Sequence, residues 1–302
     1  MQRADAHSGR GFKGFSIRGR LLLFSLCISL IPITIITTLG YLHARMTLRE
    51  EALDWLTAVA ESRKLQVLEF LEVKNKEAVN FSSDGFIRDS LEIISRGGVG
   101  HEEAIAGLNR HLSLEKRPLD PYIMAITVAD MDGKVVAATS EEWVGKDLSG
   151  QEIFTQAVGK KFDEIYIEQP HQAHFLGVAE IDVSAPITSR RGADTIGVLI
   201  NHYDISALSE TTANRAGMGE TGEIVLGRRE GDDIVFLNSL RYAPDAPLSL
   251  SIPMDSAESK PMKLALEGGR GAMIAPDYRG VEVVAAYQDI PPMGWGLVAK
   301  VD

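Results

Sequence analysis

The sequence predicts an α+β protein in which one transmembrane helix and a long helical region precede two tandem antiparallel sheets. Three observations predict this class. An uncharged apolar run lies near the N-terminus, an uninterrupted helical periodicity follows it, and the order hairpin, helix and three strand-like runs occurs twice in the remainder. Hydrophobic residues make up 45% of the chain and charged residues 24%, which is typical of a folded protein.

The apolar run covers residues 21–42 and contains no charged residue. A helix of this length can cross a hydrocarbon core of roughly 30 Å. The alternative is a cleaved signal peptide, which has a shorter apolar core and a small-residue cleavage site. Residues 1–20 hold five basic residues and one acidic residue. The positive-inside rule therefore predicts a basic cytoplasmic N-terminus and places residues 43–302 outside the membrane.

The charge balance limits the partners of the exterior part. The whole chain has a formal net charge of −11, and the part after the apolar run is more negative still, because residues 1–20 are basic. Such a surface argues against nucleic acid and against anionic membranes as partners. The single cysteine, Cys27, lies in the apolar run. A disulfide-free exterior fits a bacterial periplasm, so we expect a protein of the bacterial inner (plasma) membrane.

Residues 43–117 are predicted to form a long helical stalk. Apolar residues recur at steps of three and four from Leu48 to Phe81, and neither proline nor glycine occurs before Gly85. The apolar stripe is wide enough for the sheets and for a partner helix, so we expect a homodimer through this region. A second helical piece over residues 86–114 is interrupted by the glycine-rich residues 96–100.

Residues 118–212 are predicted to form the first sheet. A hairpin with an Asp132-Gly133 turn comes first, then an amphipathic helix, then three strand-like runs. Residues 213–302 repeat this order, and the two copies end on Asp204 and Asp302. Each copy is therefore expected to be a five-stranded antiparallel sheet with helices on one side.

Several segments carry a resemblance to a known family: VADMDGKVVAATS, GVLINHYDISAL, GETGEIVLGRREG and DYRGVEVVAAYQDIPPMGWGLVAKVD. With the membrane span and the stalk, they resemble the double-Cache (tandem PAS-like) sensor regions of bacterial transmembrane receptors. The resemblance covers residues 44–302. It implies a membrane-distal Cache sheet in residues 118–212 and a membrane-proximal one in residues 213–302.

The resemblance also implies a function. It predicts an extracytoplasmic ligand-sensing region, most often the input half of a two-component sensor histidine kinase. The input domain of a chemoreceptor or of a diguanylate cyclase is the alternative. A second membrane helix and a cytoplasmic output module are expected beyond residue 302. The expected partners are a small-molecule ligand of unidentified chemistry and a second copy of the chain.

The resemblance gives Asp204 the first place among candidate ligand-binding residues. In amino-acid-binding members an aspartate at this position pairs with the ligand's ammonium, and a fixed carboxylate suits a cationic group. The alternative is that Asp204 caps the helix that follows it. The Arg-x-Trp-Tyr element that holds an amino acid's carboxylate is missing from residues 154–187, so an amino-acid ligand is not expected. Further candidates for the distal pocket are Tyr122, Tyr166, His174, Asp182 and Tyr203.

Two other sets of polar residues are candidate sites. His171, His174 and His202 are three imidazoles in one small domain, which could hold a metal ion or an anion. The alternative, which we prefer, is a solvated loop with incidental histidines, so no metal or cofactor site is predicted. Residues 277–279 in PDYRG are explained by a turn in which Gly280 supplies a positive φ, and ligand binding there is the lesser reading.

Catalytic motifs do not occur in the sequence. It contains no phosphate-binding loop with a lysine, no Cys-x-x-Cys, no zinc-type His/Glu pattern and no G-x-S-x-G elbow. We therefore expect no enzymatic activity within these residues. A remaining alternative is a membrane-tethered interaction module without a small-molecule ligand. An apolar interior of the distal sheet would favour that alternative, and a polar one would favour sensing.

Overall fold

A computed structural model describes residues 17–161, 163–172, 179–190, 192, 194–213 and 218–302. The chain divides into two compact units, residues 1–52 and residues 53–302. The α-helices of the described residues are α1 (Ile17–Ser82), α2 (Gly85–Arg96), α3 (His101–His111), α4 (Glu152–Val158), α5 (Ser206–Ala213) and α6 (Lys260–Leu266).

The strands form two antiparallel sheets. The first sheet contains β1 (Ile123–Asp130), β2 (Val135–Ala138), β3 (Tyr166–Ile167), β4 (His171–Gln172), β5 (Ala179–Thr188) and β6 (Thr195–Asp204). The second sheet contains β7 (Glu223–Glu230), β8 (Asp233–Phe236), β9 (Ser251–Pro253), β10 (Gly271–Pro276), β11 (Glu282–Ile290) and β12 (Trp295–Val301). The predicted α+β class, with a long N-terminal helix before two antiparallel sheets, is confirmed.

In the first unit, α1 carries its apolar side chains on an exposed surface. From Phe24 onward, the helix includes a window of mean hydropathy 1.8 with few charges, which is long and apolar enough to cross a membrane by length and composition. Pro32 lies inside this helix. Transmembrane helices tolerate proline because neighbouring groups can satisfy the freed carbonyl. The membrane span remains a prediction.

In the second unit, α1 contributes buried residues to both sheets. Leu56 and Val67 belong to the core that also contains Trp295 of the second sheet. Ala78 and Phe81, further along the helix, pack in the core of the first sheet. The three- and four-residue spacing read from the sequence is thus the spacing of the buried stripe.

A side-chain cap and a run of glycines set the two ends of α2. The Asp84 carboxylate accepts hydrogen bonds from the backbone N–H groups of Phe86 (2.8 Å) and Ile87 (3.2 Å), so it caps α2. Burial raises the pKa of Asp84, but the bond from Lys116 and these N–H donors together lower that pKa below its usual value. The predicted glycine break follows α2, where Gly97, Gly98 and Gly100 all have positive φ.

The first sheet has the strand order β2-β1-β6-β5-β3, and β4 also pairs with β5. The prediction of five strands is therefore wrong by one. The first of the three strand-like runs after the helix, residues 164–169, shrinks to β3, and β4 forms where a loop was expected. Pro170 lies between the two short strands and has no N–H to donate, which explains the interruption at this sheet edge.

The second sheet has the order β10-β11-β12-β7-β8-β9. Read in the direction β8-β7-β12-β11-β10, five of its strands repeat the order of the first sheet. The sixth, β9, is an extra edge strand that the sequence did not reveal. Gly227 and Gly296 are cross-strand neighbours beneath α6. A Cβ on Gly296 would lie 2.6 Å from the Met262 sulfur and 3.0 Å from the Ala265 Cβ, so glycine lets the helix approach the sheet closely here.

Candidate functional site

Polar residues alternate along β5 on the face of the first sheet that α4 covers. Glu180, Asp182 and Ser184 point to this face, while Ile181 and Val183 point to the opposite face, in the cores that contain α1. The Ser184 hydroxyl donates to the Ile153 carbonyl of α4 at 2.8 Å. Glu180 is only 1% exposed and Asp182 4% exposed, so two carboxylates are buried on one strand.

His202 of β6 lies directly opposite Asp182 in the strand register. Its Nδ1 is 2.9 Å from Asp182 Oδ1, and its Nε2 is 3.2 Å from the Thr127 hydroxyl oxygen. Because an ionised Asp182 can only accept, Nδ1 carries a proton in this contact, while Nε2 and the Thr127 hydroxyl share a hydrogen bond whose direction depends on the protonation of the ring. The ring also packs against Trp143, with ring centroids 4.4 Å apart. His202 is therefore held in one orientation.

A second histidine reaches the same carboxylates from β4. His171 Nε2 lies 3.2 Å from Glu180 Oε1 and 3.9 Å from Asp182 Oδ2. Glu168, just before β4, is fixed by its backbone N–H, which donates to the Asp182 carbonyl at 2.9 Å. Glu168, His171, Glu180, Asp182 and His202 are called the His–carboxylate cluster below.

The cluster concentrates negative charge in a poorly solvated place. The Glu180 carboxylate raises the pKa of His171 to about 9, against the effect of burial and with help from Asp182. Burial lowers the pKa of His202, but the contributions of Asp182 and Glu180 outweigh it and the net shift is upward. Burial raises the pKa of Glu168. Among the described residues, neither oxygen of Glu180 has a hydrogen-bond donor, since the contact from His171 lacks hydrogen-bond geometry.

The second sheet contains a different buried ion network. Lys300 Nζ lies 2.8 Å from Glu223 Oε2 and 2.6 Å from Asp277 Oδ2. The Tyr278 hydroxyl donates to the Glu223 carboxylate at 3.1 Å, and Arg279 Nε donates to Asp277 at 2.7 Å. Two cations thus face two carboxylates. Gly280 has φ 76°, as the predicted turn requires.

Residues 168–171 connect the cluster to the second sheet. While Glu168 and His171 belong to the cluster, Gln169 accepts from Trp295 Nε1–H at 2.7 Å and donates to the Met293 carbonyl at 2.9 Å. The next carbonyl, that of Pro170, accepts from the Arg228 guanidinium at 2.8 Å. We call residues 168–171 the bridging segment.

Solved structures with this architecture are sensory domains of bacterial receptors. The ligand-binding domain of the Campylobacter jejuni chemoreceptor Tlp3 in complex with L-valine has TM-score 0.59 at 13% identity, covering 84% of this chain and 94% of that chain. The ligand-binding domain of the Pseudomonas fluorescens chemoreceptor CtaA with L-serine has TM-score 0.53 at 14% identity, covering 84% and 98%.

A third similar structure is the extracellular domain of a protein described as a histidine kinase, rpHK1S-Z16, with TM-score 0.53 at 14% identity, covering 85% of this chain and 95% of that one. No protein-family model matches the sequence, and a search of curated proteins finds no match. At such identities the likeness concerns the fold. The chain has the double-Cache fold. The two sheets with one repeated strand order are the two Cache sheets that the sequence led us to expect.

Within the double-Cache fold, the predicted ligand residues do not all meet. Asp182 lies in the His–carboxylate cluster. Tyr203 lies on the opposite face, where its hydroxyl donates to Glu77 of α1 at 2.8 Å, and burial raises its pKa. Tyr166 lines a surface cavity with Leu68 of α1 and Met293, and burial with Glu152 raises its pKa to about 12.

Asp204 occupies the end of β6, opposite Glu180 in the register. Its carboxylate accepts from the Ser206 N–H at 2.7 Å, which is the capping role given as the alternative. Its ligand role stays a prediction. The Tyr122 hydroxyl donates to Glu210 near the same end of the sheet. This hydrogen bond raises the pKa of Tyr122, and the negative charges of Glu210 and Asp204 raise it further. His174 lies outside the described residues.

Sequence reasoning missed Glu168 and Glu180 as site residues. The signal for Glu180 was available, because Glu180, Asp182 and Ser184 alternate with apolar residues in a run expected to be a strand. An acidic face on a strand this apolar predicts a buried polar site. Glu168 had no comparable signal, because its place depends on the irregular bridging segment. His202, which the sequence places in the last strand of this sheet, was not named as a ligand residue, yet it is 2% exposed in the middle of a strand pair.

Proposed function

We propose that this chain is the ligand-sensing input region of a bacterial transmembrane receptor. The double-Cache fold and its likeness to sensory domains support this function. The observation that carries it is the His–carboxylate cluster buried in the first sheet. A purely structural interaction module would gain stability from an apolar interior, since buried carboxylates are costly.

The output module proposed first is a histidine kinase, with the extracellular domain of rpHK1S-Z16 in support. A chemoreceptor is the second candidate, because Tlp3 and CtaA have the same fold. We propose no catalytic role for the residues of this chain. L-Valine and L-serine are ligands of those chemoreceptors. They are not proposed here, because the expected Arg-x-Trp-Tyr element is missing from residues 154–187.

The bridging segment supplies a route for the signal. A ligand at the cluster would move Glu168 or His171, and Gln169 and Pro170 between them are bonded to the second sheet. Through Trp295 that sheet shares its core with α1. A ligand that prefers one position of the bridging segment would thereby bias the packing of β12 against α1.

Ligand binding is the first prediction. Titration calorimetry of the 302-residue chain in detergent, against a library of organic metabolites with EDTA present and against metal ions without EDTA, is expected to give a ligand whose affinity falls at least tenfold in Asp182→Asn. The exposed Asp132→Asn variant, on the hairpin turn of the same sheet, is the matched control. Asp204→Ala tests the predicted ligand-binding role of Asp204: unchanged affinity would show that Asp204 does not contact the ligand. A library ligand that binds Asp182→Asn as tightly as the wild type would place its site elsewhere.

Membrane topology gives the second prediction. Alkaline phosphatase fused after Asp302 is expected to be active in Gram-negative bacterial cells, because the enzyme needs an oxidising exterior to form its disulfides. β-Galactosidase fused at the same point is expected to be inactive. The basis is the excess of basic residues in residues 1–20. The reverse pattern, an active β-galactosidase and an inactive phosphatase, would contradict an extracytoplasmic location of residues 43–302.

We also propose a homodimer formed through α1. Leu65 and Val73 are exposed apolar residues on this helix, eight positions apart and thus close to one face. In a Cys27→Ser background, Leu65→Cys is expected to form a disulfide-linked dimer on mild oxidation, seen on a non-reducing gel. Glu142→Cys, exposed beside the first sheet, is the control and should remain monomeric. Equal cross-linking at both positions would indicate random collision.

A further inference from the structure

We propose that the His–carboxylate cluster binds a divalent transition-metal ion, with Zn²⁺ as its representative. This inference rests on the proposed sensory function and names the class of ligand for the first sheet. It departs from the sequence prediction that metal ligands are absent, because the structure joins residues that the sequence separates by up to 34 positions, from Glu168 to His202.

The donor set is one that such ions prefer. Two imidazoles and three carboxylates converge, and imidazole nitrogen with carboxylate oxygen is a common ligand combination for zinc and its neighbours. The ligand atoms form two overlapping groups, each within 4.8 Å: Glu168, His171 and Asp182, and Glu180, Asp182 and His202. Asp182 belongs to both groups and therefore stands at the centre.

Glu180 is the independent sign that the cluster lacks a component. Its side chain is 1% exposed, and neither carboxylate oxygen has a hydrogen-bond donor among the described residues. A buried carboxylate whose partner among the described residues is an imidazole without hydrogen-bond geometry is costly, because this contact replaces little of the water that the carboxylate has lost. The side chain is directed into the cluster, since Oε1 lies 3.2 Å from His171 Nε2. A metal ion would supply the missing partner.

The spacing suits an ion better than an organic molecule. The donor atoms are separated by 2.9 Å (His202 to Asp182), 3.2 Å (His171 to Glu180) and 3.9 Å (His171 to Asp182). Four ligands at about 2.0–2.1 Å from zinc are about 3.3 Å from one another. Shifts of less than about 1 Å would therefore convert these contacts into a coordination shell, whereas a metabolite would have to separate them.

Neighbouring groups already orient the ligands. Thr127 is hydrogen-bonded to His202, and Trp143 stacks on the same ring. The backbone of Glu168 is bonded to the backbone of Asp182. Partners of this kind fix the direction of metal ligands in known sites, and their loss usually weakens metal binding. The alternative is a self-contained ion-pair cluster, which would need no metal.

The test uses the full 302-residue chain in detergent, stripped of metal with EDTA and then dialysed. Zn²⁺ alone is titrated by calorimetry and by competition with a chromophoric chelator. We expect one ion per chain, with affinity at least tenfold weaker in Glu180→Gln and in His171→Gln. Glu142→Gln and His43→Gln remove an exposed carboxylate and an exposed imidazole and should bind like the wild type. The fluorescence of Trp143, compared in Trp143→Phe, should respond to the ion.

Each outcome decides the proposal. Loss in the two cluster variants with retention in the two controls supports it, and thermal melts identify any variant that has failed to fold. Equal binding by all four variants overturns it, because the ion is then held elsewhere. Absence of binding by the wild type for Zn²⁺, Mn²⁺ and Ni²⁺ also overturns it. Because the metabolite library is screened with EDTA present, an organic ligand found there would leave the sensory function intact while the metal proposal fails.

Discussion

Replacing Lys300 by methionine is expected to lower the free energy of unfolding by about 3–5 kcal/mol, because it leaves two buried carboxylates without their shared cation. Lys300 and Glu223 are each 1% exposed, and Asp277 is also buried. The contacts of 2.8 Å and 2.6 Å from Lys300 Nζ are therefore formed away from water. Methionine keeps most of the side-chain volume, so the charge is the main difference.

Two comparisons isolate the charge. Lys263→Met removes a lysine whose partner Asp255 is largely exposed. The loss of Lys263 should cost much less than that of Lys300, because exposed ion pairs contribute little. The triple variant Lys300→Met, Glu223→Gln and Asp277→Asn should recover part of the loss, since neither carboxylate is then left charged and Arg279 keeps its ion pair with Asp302. Urea unfolding followed by circular dichroism measures all three. A Lys300→Met variant as stable as the wild type would show that water reaches the network.

The contribution of the same network to stability should depend on pH, and the pKa of Asp277 gives the direction. Burial raises the pKa of Asp277, but the bonds from Lys300 and Arg279 outweigh burial, and the net pKa is lowered. The stability from such a group is present above its unfolded pKa of about 3.9 and is lost as the pH falls through the folded value. In Lys300→Met the contact that lowers the pKa of Asp277 most is gone. The buried carboxylates of the folded variant therefore take up protons at a higher pH than those of the wild type. The stability difference between variant and wild type should narrow as the pH falls from 7 towards 4.

The order of the elements could be predicted because each has a local cause. The Asp132-Gly133 turn forces a hairpin, and Gly133 has φ 82°. The glycines after Arg96 end α2, and the apolar spacing from Leu56 onward is the buried stripe of α1. The repeat of the order in residues 213–302 predicted a second antiparallel sheet, and in the structure β12 pairs with β7 in it. The edge strands β4 and β9 were missed, because they are short and their pairing depends on the neighbouring strand.

The candidate site was less predictable because its members come from irregular chain. Asp182 was identified from its strand position, but its partner His171 reaches it only through the bend at Pro170. Tyr203 was assigned to the pocket although residues 202 and 203 must point to opposite faces of a strand. His202 therefore occupies the cluster face, and Tyr203 bonds to Glu77 on the other face. Applying the two-residue period of a strand would have assigned His202 and Tyr203 to opposite faces of the sheet.

Replacing Trp295 by alanine is expected to lower the free energy of unfolding by about 3–5 kcal/mol, the usual cost of emptying a buried indole site. Trp295 is 1% exposed in the core that α1 shares with the second sheet. Trp143→Ala would not be an equivalent comparison, since that ring stacks on His202 of the cluster. The half-exposed Trp55→Ala, on α1, is the better control and should cost clearly less. Denaturant unfolding of both variants measures the difference.

Trp295→Phe separates packing from the connection to the bridging segment. Phenylalanine still fills most of the site but cannot donate to Gln169, whose amide bonds the indole N–H at 2.7 Å and the Met293 carbonyl at 2.9 Å. A double-mutant cycle with Gln169→Ala should give a coupling energy of about 0.5–1.5 kcal/mol, the net worth of one hydrogen bond. A coupling near zero would mean that the Trp295–Gln169 hydrogen bond adds nothing to the packing of Trp295. The bridging segment could then not transmit the state of the cluster through this bond. Its contacts of Gln169 with the Met293 carbonyl and of Pro170 with Arg228 would remain as polar connections.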